Sequence, residues 1–183
     1  MHGIKRLARS GAWCVAATAL ALAMSACGTV RQTAGPTLTH GDKVAVVSIA
    51  NYTETPDAGK SAESIAANTL RAGGIGDVCI APADTNRNAL FDNAQRGDGD
   101  KSLEWARSQN ARYVLTGAVE EWRYKTGVDG EPVVGVTFEL IDVANGSVVW
   151  SATGTRTGWS RSALSSVATT LIGNVLSPLQ ARQ

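Results

Sequence analysis

Histidine is nearly absent from this chain of 183 residues, which holds only His2 and His40. A Ser-His-Asp or Cys-His arrangement, or a histidine-based metal centre, would have to use His40. That residue adjoins Gly41 in a stretch read below as a tether, where nothing rigid is expected to hold it. Cysteine is scarce as well, at Cys14, Cys27 and Cys79. The basic residues form no stripe and are interspersed with acids, which argues against nucleic acid as a partner. Gly59-Lys60-Ser61 resembles the end of a phosphate-binding loop, but Glu54 stands where its first glycine is needed. Asp98 and Asp100 flank Gly99 without the spaced ligands of a calcium loop. Glu120 and Glu121 are adjacent on a predicted strand, so they are expected on opposite faces, unable to flank one bond. No catalytic residue, metal or cofactor is expected.

What is present begins at the N-terminus. Lys5, Arg6 and Arg9 precede an apolar run over residues 11–24, and Ser25-Ala26 supplies the small residues that a signal peptidase requires. Cys27 follows at once, as in a bacterial lipobox, with Met24 where Leu is commoner. The expected product starts at Cys27, with diacylglyceryl on its thiol and an acyl group such as palmitate on its amine. An ordinary secretory signal or a spanning helix competes, because no charge falls between Arg9 and Arg31. Ala, Ser and Thr dilute that run, and a cysteine stands where cleavage is due.

Residues 1–26 are therefore a signal peptide, 27–42 a lipidated N-terminus and tether rich in Thr and Gly, and 43–183 one periplasmic domain. Removing the signal takes away three of 17 basic residues and none of 16 acidic ones, so the mature chain carries −2. Cys79 is then the one thiol left for the fold. Flanked by Val78 and Ile80, it reads as a small buried hydrophobe.

Apolar, β-branched residues 43–50 predict a buried strand, and Asn51 to Gly59 a loop. A helix is predicted over 61–72, stopped by Gly73-Gly74, then a short strand over 77–81. Residues 84–100 are polar, with some helix around 89–91, and 101–110 form a helix with Leu103 and either Ala106 or Trp105 inward. Alternation from Arg112 to Lys125 predicts a long strand, with Tyr113, Leu115, Gly117 and Val119 on one face and Thr116, Glu120 and Trp122 on the other. Strands follow at 133–143 and 147–157, joined through Asn145-Gly146, which suits a type I′ turn. Leu164, Val167, Ala168, Leu171, Ile172, Val175 and Leu176 mark a final helix ending near Pro178. The fold class is α/β (α+β): strand, helix, strand, helix, a three-strand antiparallel meander and a C-terminal helix, with helices packed on a mixed sheet.

Val44 to Pro56 (V-A-V-V-S-I-A-N-Y-T-E-T-P), Ala111 to Gly117 (A-R-Y-V-L-T-G) and Asp142 to Trp150 (D-V-A-N-G-S-V-V-W) carry a family resemblance. They resemble the first strand and its loop, the opening of the central strand and a hairpin of small outer-membrane lipoproteins. Those lipoproteins are related to the periplasmic part of the curli secretion channel. Within that group the chain is most similar to the lipoproteins of Pel-type exopolysaccharide export, through its Asn51–Gly59 loop and Gly158-Trp159.

The resemblance implies a non-enzymatic homo-oligomeric ring on the inner leaflet of the outer membrane, beneath a β-barrel exporter. It implies an acidic funnel guiding a cationic, partly deacetylated amino-sugar polymer into the biofilm matrix. Asp129 and Glu131, read as carboxylates without nearby bases, are the residues expected to line that funnel. The resemblance further implies Trp159 as a membrane contact and Arg112 as a subunit-interface residue. Packing under the last helix competes for Trp159, and a plain surface charge for Arg112. Gly28 and Thr29, in place of a retention Asp, favour the outer membrane. The alternative is a lipoprotein activator of a peptidoglycan synthase, similar to LpoB, which needs a longer tether than the one expected here. A lipid-anchored hydrolase would need a catalytic constellation that the sequence lacks.

Overall fold

A computed structural model describes residues 28–82, 95–127 and 130–181, with the side chains of 95–100 left out. The strands are β1 (Gly28–Gln32), β2 (Lys43–Asn51), β3 (Asp77–Ile80), β4 (Tyr113–Tyr124), β5 (Pro132–Asp142) and β6 (Val148–Thr157). The helices are α1 (Ala58–Ala72), α2 (Gln95–Ser108) and α3 (Leu164–Leu176), and a short 3₁₀ turn (Ser177–Leu179) follows α3. The strands form one sheet in the order β1-β6-β5-β4-β2-β3. β2 runs parallel to β3 and β4, and the other pairs are antiparallel. The expected mixed sheet and the order of elements from β2 onward are present.

The main core lies between the sheet and helices α1 and α3. Val44, Val46, Leu115, Val136, Phe138 and Leu140 meet Ala62, Ala66, Leu70, Ala168, Leu171 and Ile172 there. A smaller cluster on the other face joins Ala45, Val47 and Val114 to Ala106 of α2, with Leu103 and Trp105 both partly buried at its edge. Thus α2 covers only part of the second face.

Gly59 explains the triplet that resembled a phosphate loop. A Cβ there would lie 2.3 Å from the Ile49 carbonyl oxygen, so glycine lets α1 approach β2 closely. Glu63 of the same helix accepts the Ile49 N–H at 2.9 Å. Burial pushes the Glu63 carboxyl above its usual range. Beyond α1, Gly74 adopts φ 92°, the left-handed C-terminal conformation expected of the glycine pair.

Three expectations are corrected. Residues 28–42, expected as part of the tether that starts at Cys27, are not free. Gly28–Gln32 form β1 along β6, Leu38 is fully buried in the main core, and the His40 ring nitrogen hydrogen-bonds the Gly74 carbonyl. Trp122 does not face outward with Glu120. It belongs to the main core with Val119, because the pairing passes from Val119–Val136 to Glu121–Gly135 and leaves Glu120 as an extra residue. The β5–β6 connection is not type I′: Gly146 has φ 71° but Asn145 has no positive φ. Asn145 Oδ1 instead accepts the Ser147 N–H at 2.8 Å, a local side-chain turn.

Candidate functional site

The bulge at Glu120 has a chemical consequence. A Cβ placed on Gly135 would lie 3.4 Å from the Cβ of Glu121, so Glu121 points to the face that Gly135 shares with Thr137 and Glu139. Glu120 is on that face too, since its Oε1 accepts the Thr137 hydroxyl at 2.7 Å. The two glutamates, expected on opposite faces, share the face that α2 leaves uncovered. They do not form a free pair. Glu121 is bridged to Arg123 at 3.0 Å, whereas Glu120 is held by a hydroxyl.

Beside α2 this face sinks into a groove of about 440 Å³, lined by Ser48, Tyr52, Thr116, Glu120, Thr137 and Glu139 over a floor that includes Gly117 and Ala118. Glu139 has no hydrogen bond or ion pair among the described residues. Across the sheet a hydroxyl ladder continues from Thr137 to Thr153 at 3.0 Å, and the register sets Thr153 beside Arg31 of β1. Two carboxylates, several hydroxyls and an exposed phenol share the groove with the apolar side chains of Val47, Ala50, Leu103, Val114 and Ile141, so it offers a bound chain both polar and apolar contacts. Among the described residues no group of His, Cys, Asp and Glu is arranged to hold a metal ion.

The nominated residues fall at opposite ends of the sheet. Cys27 and Asp129 lie outside the described residues. Glu131, at the β4–β5 hairpin, has its carboxylate 3.3 Å from Lys125 Nζ, which corrects the premise that it lacks a base. Trp159 is at the same end and is 65% exposed. The place under α3 is filled instead by Gly158, whose added Cβ would meet Val167, Pro132 and Ser162 within 3.1 Å. The Gly158 N–H donates to the Pro132 carbonyl at 2.8 Å, which ties the Trp159 loop to the hairpin.

Arg112 sits at the far end, about 40 Å away along the twelve residues of β4. It has a partner within the chain: its Nη1 lies 2.6 Å from Oδ1 of Asp42, and its guanidinium stacks 5.0 Å from the Tyr113 ring. Asp42 is 5% exposed and also accepts the Thr39 N–H at 2.7 Å and the Thr39 hydroxyl at 3.0 Å. Burial alone would raise the Asp42 carboxyl, but Thr39 and Arg112 together hold it below the usual range. A depressed native pKa adds stability above the unfolded value, near 3.9, and loses it as pH falls through the native one. Arg112→Ala is therefore expected to cost about 1–2 kcal/mol at neutral pH, with Arg112's own exposure limiting the loss. The deficit should shrink as the pH falls below about 4, as denaturant titrations over a pH series would record. Cys79 is half-buried, and burial pushes its thiol up, in keeping with a packing role.

No protein-family model matches this chain, and no curated protein sequence matches it. Solved structures do. The PelC dodecamer from Paraburkholderia phytofirmans is 79% identical over 86% of this chain and 100% of its own, with a TM-score of 0.75. This chain belongs to the PelC family. A variant PelC dodecamer from the same organism, in another space group, is 78% identical over 85% of this chain and 100% of its own, also with a TM-score of 0.75. Likeness to the LpoB C-terminal domain from Salmonella enterica is slight, at 22% identity over 64% of this chain and 84% of its own, with a TM-score of 0.44.

Sequence reasoning missed Glu139, β1 and the Asp42–Arg112 pair. Alternation of Thr137 and Glu139 with Phe138 and Leu140 was a usable signal for the first. The β-branched Thr29 and Val30 were a weak one for the second.

Proposed function

We propose that this PelC-family chain is a non-enzymatic lipoprotein of the outer membrane, lipidated at Cys27 and facing the periplasm. Copies of it form a ring beneath a β-barrel exporter and guide a cationic, partly deacetylated amino-sugar polymer to the pore for the biofilm matrix. The single observation that carries this reading is 79% identity to a protein solved as a dodecamer, over that protein's full length. The groove supports it physically. Charge of one sign repeated around a ring sums to a field that concentrates a cationic polymer, although each mature subunit carries only −2.

Glu120 and Glu139 join Asp129 and Glu131 as the carboxylates that meet the polymer. The first two line the groove, and Glu131 lies in the hairpin at the Trp159 end, on the side of the exporter. Trp159 is the membrane contact. Arg112, at the other end, acts at the subunit interface through the face of the guanidinium that Asp42 leaves exposed. Activation of a peptidoglycan synthase is disfavoured by β1, which removes the reach such an activator needs.

Cys27→Ser tests the reading in cells. Signal-peptide processing at this site and palmitate labelling should be lost, the protein should leave the outer-membrane fraction, and polymer export should fall severalfold. A variant that keeps its outer-membrane location and full export would overturn it.

A further inference from the structure

The groove beside α2 changes character along its length, and the strand register shows where. On its floor Thr116 of β4 lies opposite Glu139 of β5, and Val114 lies opposite Ile141. Directly paired residues point to the same side of a sheet. One two-residue step along the strands, about 7 Å, therefore carries the face from a carboxylate and a hydroxyl to two aliphatic side chains. Leu103 of α2 closes the aliphatic half, packed with Ile141 against the smaller core cluster. In the other direction the same step leads from Glu139 to Thr137, whose hydroxyl holds Glu120. Tyr52, which also lines the groove, is 61% exposed.

This division suits a ligand with a cation at one point and a small apolar group about one strand step away. A bare polyamine leaves the aliphatic half with nothing apolar to cover it. A neutral apolar ligand covers Glu139 without giving it a counter-charge. A chain of amino sugars in which a free amine stands next to an N-acetylated unit meets both conditions. The ammonium group faces Glu139 and Glu120, the ring hydroxyls face Thr116 and Ser48, and the acetyl methyl leaves water against Leu103 and Ile141. The phenol of Tyr52 offers a sugar both an apolar ring face and a polar tip. A volume of about 440 Å³ falls within the ~300–1,000 Å³ of small-molecule sites.

We infer that the groove is a subsite for the junction between a deacetylated and an N-acetylated unit of the polymer, with Leu103 and Ile141 selecting the acetyl group. The inference rests on the amino-sugar reading above. It goes further in making the protein sensitive to the pattern of acetylation and not to charge alone.

The test uses the assembled protein and three chitosan tetramers: fully deacetylated, fully acetylated, and half-acetylated with the two kinds of unit alternating. Affinities are measured by calorimetry at about 0.15 M salt, where a Debye length of ~8 Å limits long-range charge. The half-acetylated tetramer should bind about fourfold tighter than the fully deacetylated one although it carries fewer charges, the gain expected from burying one methyl group. The fully acetylated tetramer, with no cation for Glu139, should bind more weakly than either. Leu103→Ser should bring the two amine-bearing tetramers to equal affinity without weakening the fully deacetylated one. Glu139→Gln should weaken both and keep the preference. Ala118→Leu, which adds bulk to the floor of the groove, should weaken every tetramer severalfold, and it decides the matter where light scattering shows that Leu103→Ser does not assemble. Equal affinities in the native protein, a preference that survives Leu103→Ser, undiminished binding by Ala118→Leu, or tetralysine bound as tightly as the half-acetylated tetramer would each overturn the subsite. Failure of the native assembly to bind any amine-bearing tetramer is a separate outcome that defeats the amino-sugar reading itself, and the subsite with it.

Discussion

Phe138→Ala is expected to lower the stability of the domain by about 3–5 kcal/mol, measured by denaturant unfolding. Phe138 is fully buried in β5, near the middle of the sheet. Its cross-strand neighbours are Gly117 on β4 and Ala152 on β6, so a large ring fills space that two small residues leave open. Neither neighbour can extend into the cavity after truncation, which places the cost at the upper end for such changes. Gly117 is required for a second reason: a Cβ there would lie 2.1 Å from the Thr137 carbonyl oxygen. A loss below about 1 kcal/mol would mean that the helices collapse onto the sheet more freely than this packing allows.

The second large effect is electrostatic. The double substitution Glu120→Gln and Glu139→Gln takes residues 27–183 from −2 to zero. Binding of deacetylated glucosamine oligomers to the assembled protein should weaken by about tenfold at low ionic strength. The gap between native and variant should close as salt is added, because the Debye length contracts to ~10 Å at 0.1 M. Glutamine keeps an acceptor for the Thr137 hydroxyl, so the fold should be retained and the change confined to charge. Unchanged affinity at low salt would remove these two carboxylates from the polymer path.

Much of the fold was legible because its periodic signals are strong. The α3 stripe from Leu164 to Leu176 and the apolar run of β2 both became core as read. The bulge was not legible: one extra residue at Glu120 shifted Trp122 inward and brought two glutamates to one face, and alternation carries no mark of such a step. β1 was hidden for another reason. An edge strand with all five residues exposed has no buried face to produce a pattern. The site followed the same division. Trp159 stood out because a large aromatic sits among small residues, and the structure leaves it exposed. Glu131 was chosen for isolation from bases, which its spacing from Lys125 did not reveal until a hairpin brought them together. Arg112 was legible as a charge at the start of a strand, but its partner Asp42 is 70 residues away in sequence.

The ring is the central claim, and the mass of the folded unit tests it most directly. Residues 28–183 measured by light scattering over a range of concentrations should give one discrete species near twelve subunits, as in the PelC dodecamers. A strict monomer at every concentration would contradict the account, because without a ring the small charge of each subunit sums to no funnel.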